Sequence, residues 1–220
     1  MEFSEILSML WGGTGETLWM VLASTFVGYL FGLPLGVLLT ITDSNGLSPH
    51  PVLYRVLDII VNITRSIPFL ILLILIQPFT KFIVGKSYGT TATIVPLTVA
   101  AIPFIARMVE GSLKEVDQGV VEAAQSMGAS KLTIIAKVMV AESRISLLVG
   151  VTIALGTILG YSAMSGVVGG GGLGDIAIRY GYYRYETSIM IITVVVLVIL
   201  MQLLQLAGNI LTKKLDRRRA

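Results

Sequence analysis

LWMVLASTFVGYLFGLPLGVLLTI, residues 18–41, carries no charged side chain. A bilayer core about 30 Å thick takes roughly 20 apolar residues as a helix. Backbone polar groups there must be satisfied internally, and a helix does so within one segment. The stretch therefore reads as a transmembrane helix. Four further segments read the same way: Asp58 to Phe79, with Asp58 and Arg65 near its start, Thr90 to Met108 with Pro96 and Pro103, Ile145 to Val168, and Thr187 to Leu211. Composition agrees, because 55% of the 220 residues are hydrophobic and only 13% charged, with a mean hydropathy of +0.86. A soluble domain of this size needs more charge to cover its surface. The expectation is an all-α polytopic membrane protein with five transmembrane helices, forming a single domain over residues 1–220.

Several function classes fall away. With no cysteine there is no disulfide framework, thiolate metal site, lipid-modified cysteine or catalytic thiol, and the lone His50 cannot form a histidine cluster. The net charge of +3 reflects basic residues concentrated at membrane flanks, so it speaks of orientation and not of nucleic acid. Met1 to Glu16 holds Glu2, Glu5 and Glu16 but no Lys or Arg, unlike a secretory signal. Phe3 to Trp11 reads as a short amphipathic or interfacial stretch. An outside N-terminus puts Arg55, Lys114, Lys131, Lys137, Arg144, Lys213, Lys214, Arg217, Arg218 and Arg219 on the cytoplasmic side. Only Lys81, Lys86, Arg179 and Arg184 then lie outside. The positive-inside rule thus predicts an outside N-terminus and an inside C-terminus. Trp11, Trp19, Phe79, Phe82, Tyr88 and the Tyr180–Tyr185 cluster then fall at the outer interface.

Gly28, Gly32 and Gly36 form two small-xxx-small steps in the first span, and Gly156 with Gly160 forms one in the fourth. Such spacing lets helices approach closely, within one bundle or between two copies. The cytoplasmic connection, about residues 111–144, is too long for a tight turn. In GVVEAAQSMGAS, Val120, Val121, Ala124 and Met127 make an apolar stripe on a short helix, with Gly128 as its terminator. Ser130 is placed to cap a second helix whose Leu132, Ile135, Ala136, Met139 and Val140 share a face. Such a helical pair either folds back on its own bundle or meets a protein partner.

EAAQSMG, Glu122 to Gly128, resembles the EAA-xxx-G motif of ABC importer permeases. The resemblance implies that Glu122, Ala123, Ala124, Met127 and Gly128 couple to an ATPase subunit through a groove on it. Where the family continues apolar-x-Leu-Pro, this chain reads Val138, Met139, Val140, Ala141, which bears on how the chain enters the fourth span. RSIPFLILLILIQPFT (65–80), IVPLTVAAIPFIARMVEGSL (94–113) and GYSAMSGVVGGGGLGDIAIRYGY (160–182) are similar to the methionine-uptake permeases, though quaternary-amine permeases carry a related GGLG segment. That resemblance implies a type I importer permease of five spans in the bacterial inner membrane. It implies a homodimer with two ABC ATPase subunits and a periplasmic or lipid-anchored methionine-binding protein. ATP and Mg would sit on the partner ATPase, with no cofactor in this chain.

Two nucleotide motifs nearly appear. Gly85-Lys86-Ser87 looks like the end of a phosphate loop, but Thr80 stands where the earlier glycine is required. Gly169, Gly171 and Gly174 satisfy GxGxxG, yet they follow a membrane span and not a β-strand. The glycine run reads instead as an irregular outer turn, either mobile near an outer gate or simply tight. Asp58, Asn62 and Arg65 share one face of the second helix, and Arg107 and Glu110 are neighbours on the third. Polar groups inside a membrane are functional candidates, so Arg65, Arg107 and Glu110 are candidates for an inner gate; interfacial pairing and snorkelling would also place them there. Tyr161, Ser162 and Met164 are candidates for the substrate pathway. The resemblance implies a gate role for Met164, against lipid-facing or packing alternatives. An ion-coupled carrier or a channel is the rival from another class, but an ion-coupled carrier usually shows internal repeats and membrane-embedded ionisable sites.

Overall fold

The computed structural model describes residues 3–216 and is helical throughout its ordered elements. Arg217, Arg218 and Arg219, three of the residues behind the predicted orientation, lie outside the described residues. Helix α1 (Phe3–Thr42) packs mainly against α5 (Thr90–Lys114). The small-residue stripe explains this pairing. A Cβ built at Gly28 would lie 2.9 Å from the Ala101 side chain, and one at Gly36 would lie 2.6 Å from the Ala106 carbonyl oxygen. The stripe is therefore an intrachain seam, the first of its two sequence readings. Met20, Leu39, Leu97 and Ile105 are buried along these two helices.

The N-terminal segment differs from expectation. Phe3 to Trp11 is not a short helix of its own: it forms the first turns of α1, continuous with the span. The reason lies at Gly13, where a Cβ would come within 2.4 Å of Ile176, so α1 continues along a packed partner. At about 1.5 Å per residue, the 40 residues of α1 reach well beyond a bilayer core.

The second span is the main correction. Asp58 to Phe79 is not one helix: α2 (Pro51–Ser66) ends, and α3 (Phe69–Leu75) leaves at 100° to it. Pro68 is the cause. A residue preceding proline is pushed out of the helical region, and Ile67 sits at φ −77°, ψ 123°. Proline also lacks the N–H that would continue the ladder. A short α4 (Gln77–Val84) follows.

After α5 come α6 (Gln118–Ser126), the three-residue α7 (Lys131–Thr133), a π-helical stretch Ile134–Met139, and α8 (Val140–Glu142). Helix α9 (Arg144–Met164) then crosses and ends in a 3₁₀ turn, Ser165–Val168. Short α10 (Gly172–Ile176) runs into a second π stretch, Ala177–Tyr182, before α11 (Thr187–Leu215). α9 packs against α1, α5 and α11. Ile191, Val195, Val198, Ile199, Leu203 and Leu206 of α11 are exposed, as expected of a helix with lipid as solvent. Among the described residues, four helical segments are long and apolar enough to cross a membrane. The bent α2–α3 pair makes up to five if it counts as one span.

Candidate functional site

The coupling segment is built from capping chemistry. Asp117 accepts a hydrogen bond from the Gly119 N–H at 2.7 Å and starts α6. The helix closes in a Schellman motif at Gly128: the Gly128 N–H reaches the Gln125 carbonyl at 2.9 Å and the Ala129 N–H reaches Ala124 at 3.1 Å. That geometry needs a left-handed residue, and Gly128 has φ +78°. Ser130 then caps the next helix by accepting from the Thr133 N–H, as its position in the sequence predicts.

Burial divides the predicted stripe. Val121 and Ala124 face inward into the same core cluster as Leu113 and Val116. Val120 and Met127 do not join them: they are exposed, Met127 at 81%, together with Glu122, Ala123 and Gly128. Of the five predicted coupling residues, Ala124 is therefore a packing residue that holds the helix to its own bundle, while the other four face outward. The following helix also needs correction. Its inward face is Ile134, Ile135, Val138, Met139 and Val140, so Ile135, Met139 and Val140 face inward as predicted, while Leu132 and Ala136 are exposed. A π-helix closes i→i+5, which puts Ile134 and Met139 on one side where 3.6-residue periodicity would not. With Ala141 in the place of the family proline, the helix runs on through Glu142. The chain then turns at Ser143, whose Oγ donates to the Met139 carbonyl at 2.7 Å.

The polar candidates form a chain at the same end of the bundle. Arg107 pairs with Asp58, donates to Asn62 Oδ1 at 2.9 Å, and bridges Glu110 at 2.6 Å. Lys114 joins Glu110 at 2.8 Å and Asp43 at 2.6 Å, and the Tyr54 hydroxyl donates to Glu110 at 3.2 Å. Glu110 is almost fully buried, which is tolerable because these three donors satisfy its carboxylate. Lys114's hydrogen bond holds the Asp43 carboxyl below the usual carboxylate range. Arg65 stays exposed and, among the described residues, makes no ion pair, so it stands apart from Arg107 and Glu110.

The pathway candidates diverge. Tyr161 stacks on Phe69 of α3, ring centroids 4.6 Å apart and ring planes nearly parallel, so it braces the broken helix. Ser162 is buried and donates to the Leu159 carbonyl in its own helix at 2.8 Å, which leaves its hydroxyl proton no ligand to serve. Met164 alone of the three is open, 49% exposed at the end of α9.

The glycine run is a tied turn. The Gly89 N–H donates to the Gly169 carbonyl at 2.9 Å and Thr93 Oγ1 to Gly170 at 3.1 Å. From α1, Glu16 accepts from the Gly172 N–H at 2.7 Å and Thr17 Oγ1 from the Leu173 N–H at 2.9 Å. Of the aromatics predicted for the outer interface, Trp11, Trp19, Phe79, Phe82, Tyr88, Tyr182, Tyr183 and Tyr185 are exposed. Sequence reasoning missed the contributions of Asp43, Tyr54, Glu16 and Thr17. Their partners lie far away in sequence, and no local periodicity announces them.

A family model described as binding-protein-dependent transport system inner membrane component matches residues 32–220. A probable D-methionine transport system permease protein of Vibrio cholerae serotype O1 is 52% identical over 210 residues, covering 96% of this chain and 93% of that protein. The methionine import system permease protein of Bacillus subtilis strain 168 is 41% identical over 212 residues, with 96% of each covered. A solved structure of inward-facing conformations of the MetNI methionine ABC transporter contains a chain 47% identical with a TM-score of 0.96. The match covers 99% of this chain and all of that one.

Proposed function

The chain belongs to the family of binding-protein-dependent transport system inner membrane components, and on that premise we propose that it is the permease subunit of an ATP-driven methionine importer. Two copies line the pathway in the bacterial inner membrane, each with its N-terminus outside and its C-terminus inside. Each meets one ABC ATPase subunit through α6, and a methionine-binding protein delivers substrate from outside. ATP and Mg belong to the ATPase. This chain carries out no covalent chemistry; it supplies the path and the mechanical link.

The observation that carries this reading is the coupling helix itself. It is capped at both ends, anchored by Val121 and Ala124, and presents Val120, Glu122, Ala123 and Met127 outward. An apolar and acidic face held rigidly outside the spans is what a docking helix requires. ATP binding draws the two coupling helices together and opens the path outward; hydrolysis returns it inward. Substrate identity rests on likeness to methionine permeases and on Met164, whose polarisable thioether suits a gate that a thioether substrate must pass.

The test is uptake of labelled methionine into vesicles holding this chain with its ATPase and binding protein. Uptake should require ATP and compete with D- or L-methionine but not with betaine. Betaine competition would move the substrate to quaternary amines. Uptake by the chain alone, driven by an ion gradient, would overturn the importer assignment.

A further inference from the structure

The turn between α1 and α2, residues 43–50, joins three things that move or must be held: the coupling segment, α5 and the start of α2. It is not slack. Ser48 N–H donates to the Ile41 carbonyl and His50 N–H to Thr42, both at 2.9 Å, so the turn folds back on the last turn of α1. Gly46 allows the fold-back, since a Cβ there would lie 2.4 Å from the Ile41 carbonyl oxygen. His50 Nδ1 accepts from the Leu53 N–H at 3.2 Å and caps α2, with Pro51 in its first turn. Displacing the turn therefore displaces the start of α2.

Three contacts deliver such a displacement. Lys131, the first residue of α7, donates through Nζ to Ser48 Oγ. Leu47 packs partly buried against the core and shares a cleft of about 220 Å³ with Val121 of α6 and Met139. Asp43 bridges Lys114 at 2.6 Å, at the end of α5. The far end of α2 is the extended break at Ile67–Pro68, so α2 is a rigid rod with a hinge at one end and the turn at the other. Along its length it bears on α5 through Tyr54, Asp58 and Asn62.

We infer that the residue 43–50 turn is a second transmission arm, carrying movement of the coupling segment through Lys131, Ser48 and Leu47 to α2. Lys131 and Ser48 are positioning residues, acting on the path only through α2. This rests on the assignment of an ATP-driven importer. The covalent connection through α5 is the first arm; the turn makes α2 move in step with it.

The experiment uses the complete complex in proteoliposomes, measuring methionine uptake and ATP hydrolysis on the same preparation. Lys131→Met keeps the aliphatic stem and loses the ammonium; Ser48→Ala loses the acceptor; Lys131→Arg keeps a donor. Methionine moved per ATP should fall roughly five- to tenfold in Lys131→Met and in Ser48→Ala, the range of a single coupling contact. ATPase binding and basal hydrolysis should stay within about twofold. The double variant should be no worse than either single, and Lys131→Arg should recover most of the ratio. A silent Ser48→Ala beside a defective Lys131→Met would mean that Lys131 acts on the ATPase directly, and would overturn the arm. Additive losses, or a wild-type ratio in both singles, would also overturn it. Absence of ATP-dependent uptake in the unmodified complex is a separate outcome that strikes the importer assignment instead.

Discussion

Gly128 closes the coupling helix, and substituting it separates two reasons why a glycine stands there. Its φ is +78°, and a Cβ built on it meets nothing within 4 Å. Within the chain the cost of a side chain is therefore conformational and not steric. Forcing a non-glycine residue into the left-handed region costs about 1–2 kcal/mol, less for Asn and Asp and more for β-branched residues. Gly128→Ala should therefore lower the closed-to-open ratio of α6 about 5- to 30-fold relative to glycine, and with it the fraction correctly closed. Apparent affinity for the ATPase falls in proportion to that fraction. Gly128→Asn should lose less, and Gly128→Val should lose most. Gly128→Asp adds a charge at the helix C-terminus, against the macrodipole, and should lower coupled transport further than Gly128→Asn while membrane insertion persists. Titrating ATPase onto the permease in nanodiscs gives the affinities, with uptake as the second readout. The order Gly, Asn, Ala, Val is the signature of backbone conformation. An order that follows side-chain size alone, with Asn worse than Ala, would refute this account and place the constraint in the ATPase groove.

The remaining predictions concern the bundle and its polar chain. Gly36→Ala should lower the thermal midpoint in detergent, because its Cβ would lie 2.6 Å from both the Ala106 oxygen and Val109 Cβ. Overpacking of about 1–3 kcal/mol exceeds the gain of about 1 kcal/mol in helix propensity. Gly160→Ala, with nothing within 4 Å, should be neutral or stabilising, and equal midpoints for the two would sink the seam. Arg107→Met leaves Asp58 without its cation and buried Glu110 with one donor fewer. It should destabilise by about 2 kcal/mol, below the 3–5 of a fully buried pair because Arg107 is partly exposed; a midpoint within error of wild type would count against the network. Asp43 has a depressed carboxyl pKa, chiefly from the Lys114 hydrogen bond. Its contribution is therefore fully present above the unfolded value of about 4 and is lost as pH falls through the folded one. The midpoint gap between wild type and Asp43→Asn should be constant from about pH 5 to 8 and close below about pH 4; a gap that changes near neutrality would point to a different group.

The fold was legible wherever hydrocarbon solvent leaves one option. An uncharged run such as residues 18–41 must be helical in lipid, and the glycine spacing announced a close helix contact, though only the fold shows that α5 makes it. Legibility failed where a single residue competes with a long apolar run. Residues 69–76 are uninterrupted hydrophobics, so hydropathy extends the second span across Pro68, whereas the backbone obeys the steric clash at Ile67. The same competition runs the other way at the N-terminus. Gly12, Gly13 and Gly15 look like breakers, yet Gly13 is retained in the helix because close approach to Ile176 requires it. The inward face of this helix, residues 131–142, was legible at Ile135, Met139 and Val140 but not at Ile134 and Val138, because periodicity arguments assume 3.6 residues per turn and a π stretch shifts the contact set.

The candidate site divides along the same physical line. Residues whose role comes from local geometry were readable: Gly128 as terminator, Ser130 as cap, and Arg107 with Glu110 as i, i+3 partners. Those whose role comes from tertiary placement were not. Ala124 sits inside the motif and yet packs inward, because on a helix this short the anchoring residues and the presenting residues must come from the same few positions. If four outward residues remain to meet a partner, the anchor at Val121 and Ala124 sets how faithfully movement enters the bundle. Enlarging it should therefore uncouple before it unfolds. Ala124→Leu, which overpacks a 5%-exposed site, should lower methionine moved per ATP while the outward face and ATPase binding persist. Loss of ATPase binding in step with transport would show instead that Ala124 touches the partner after all.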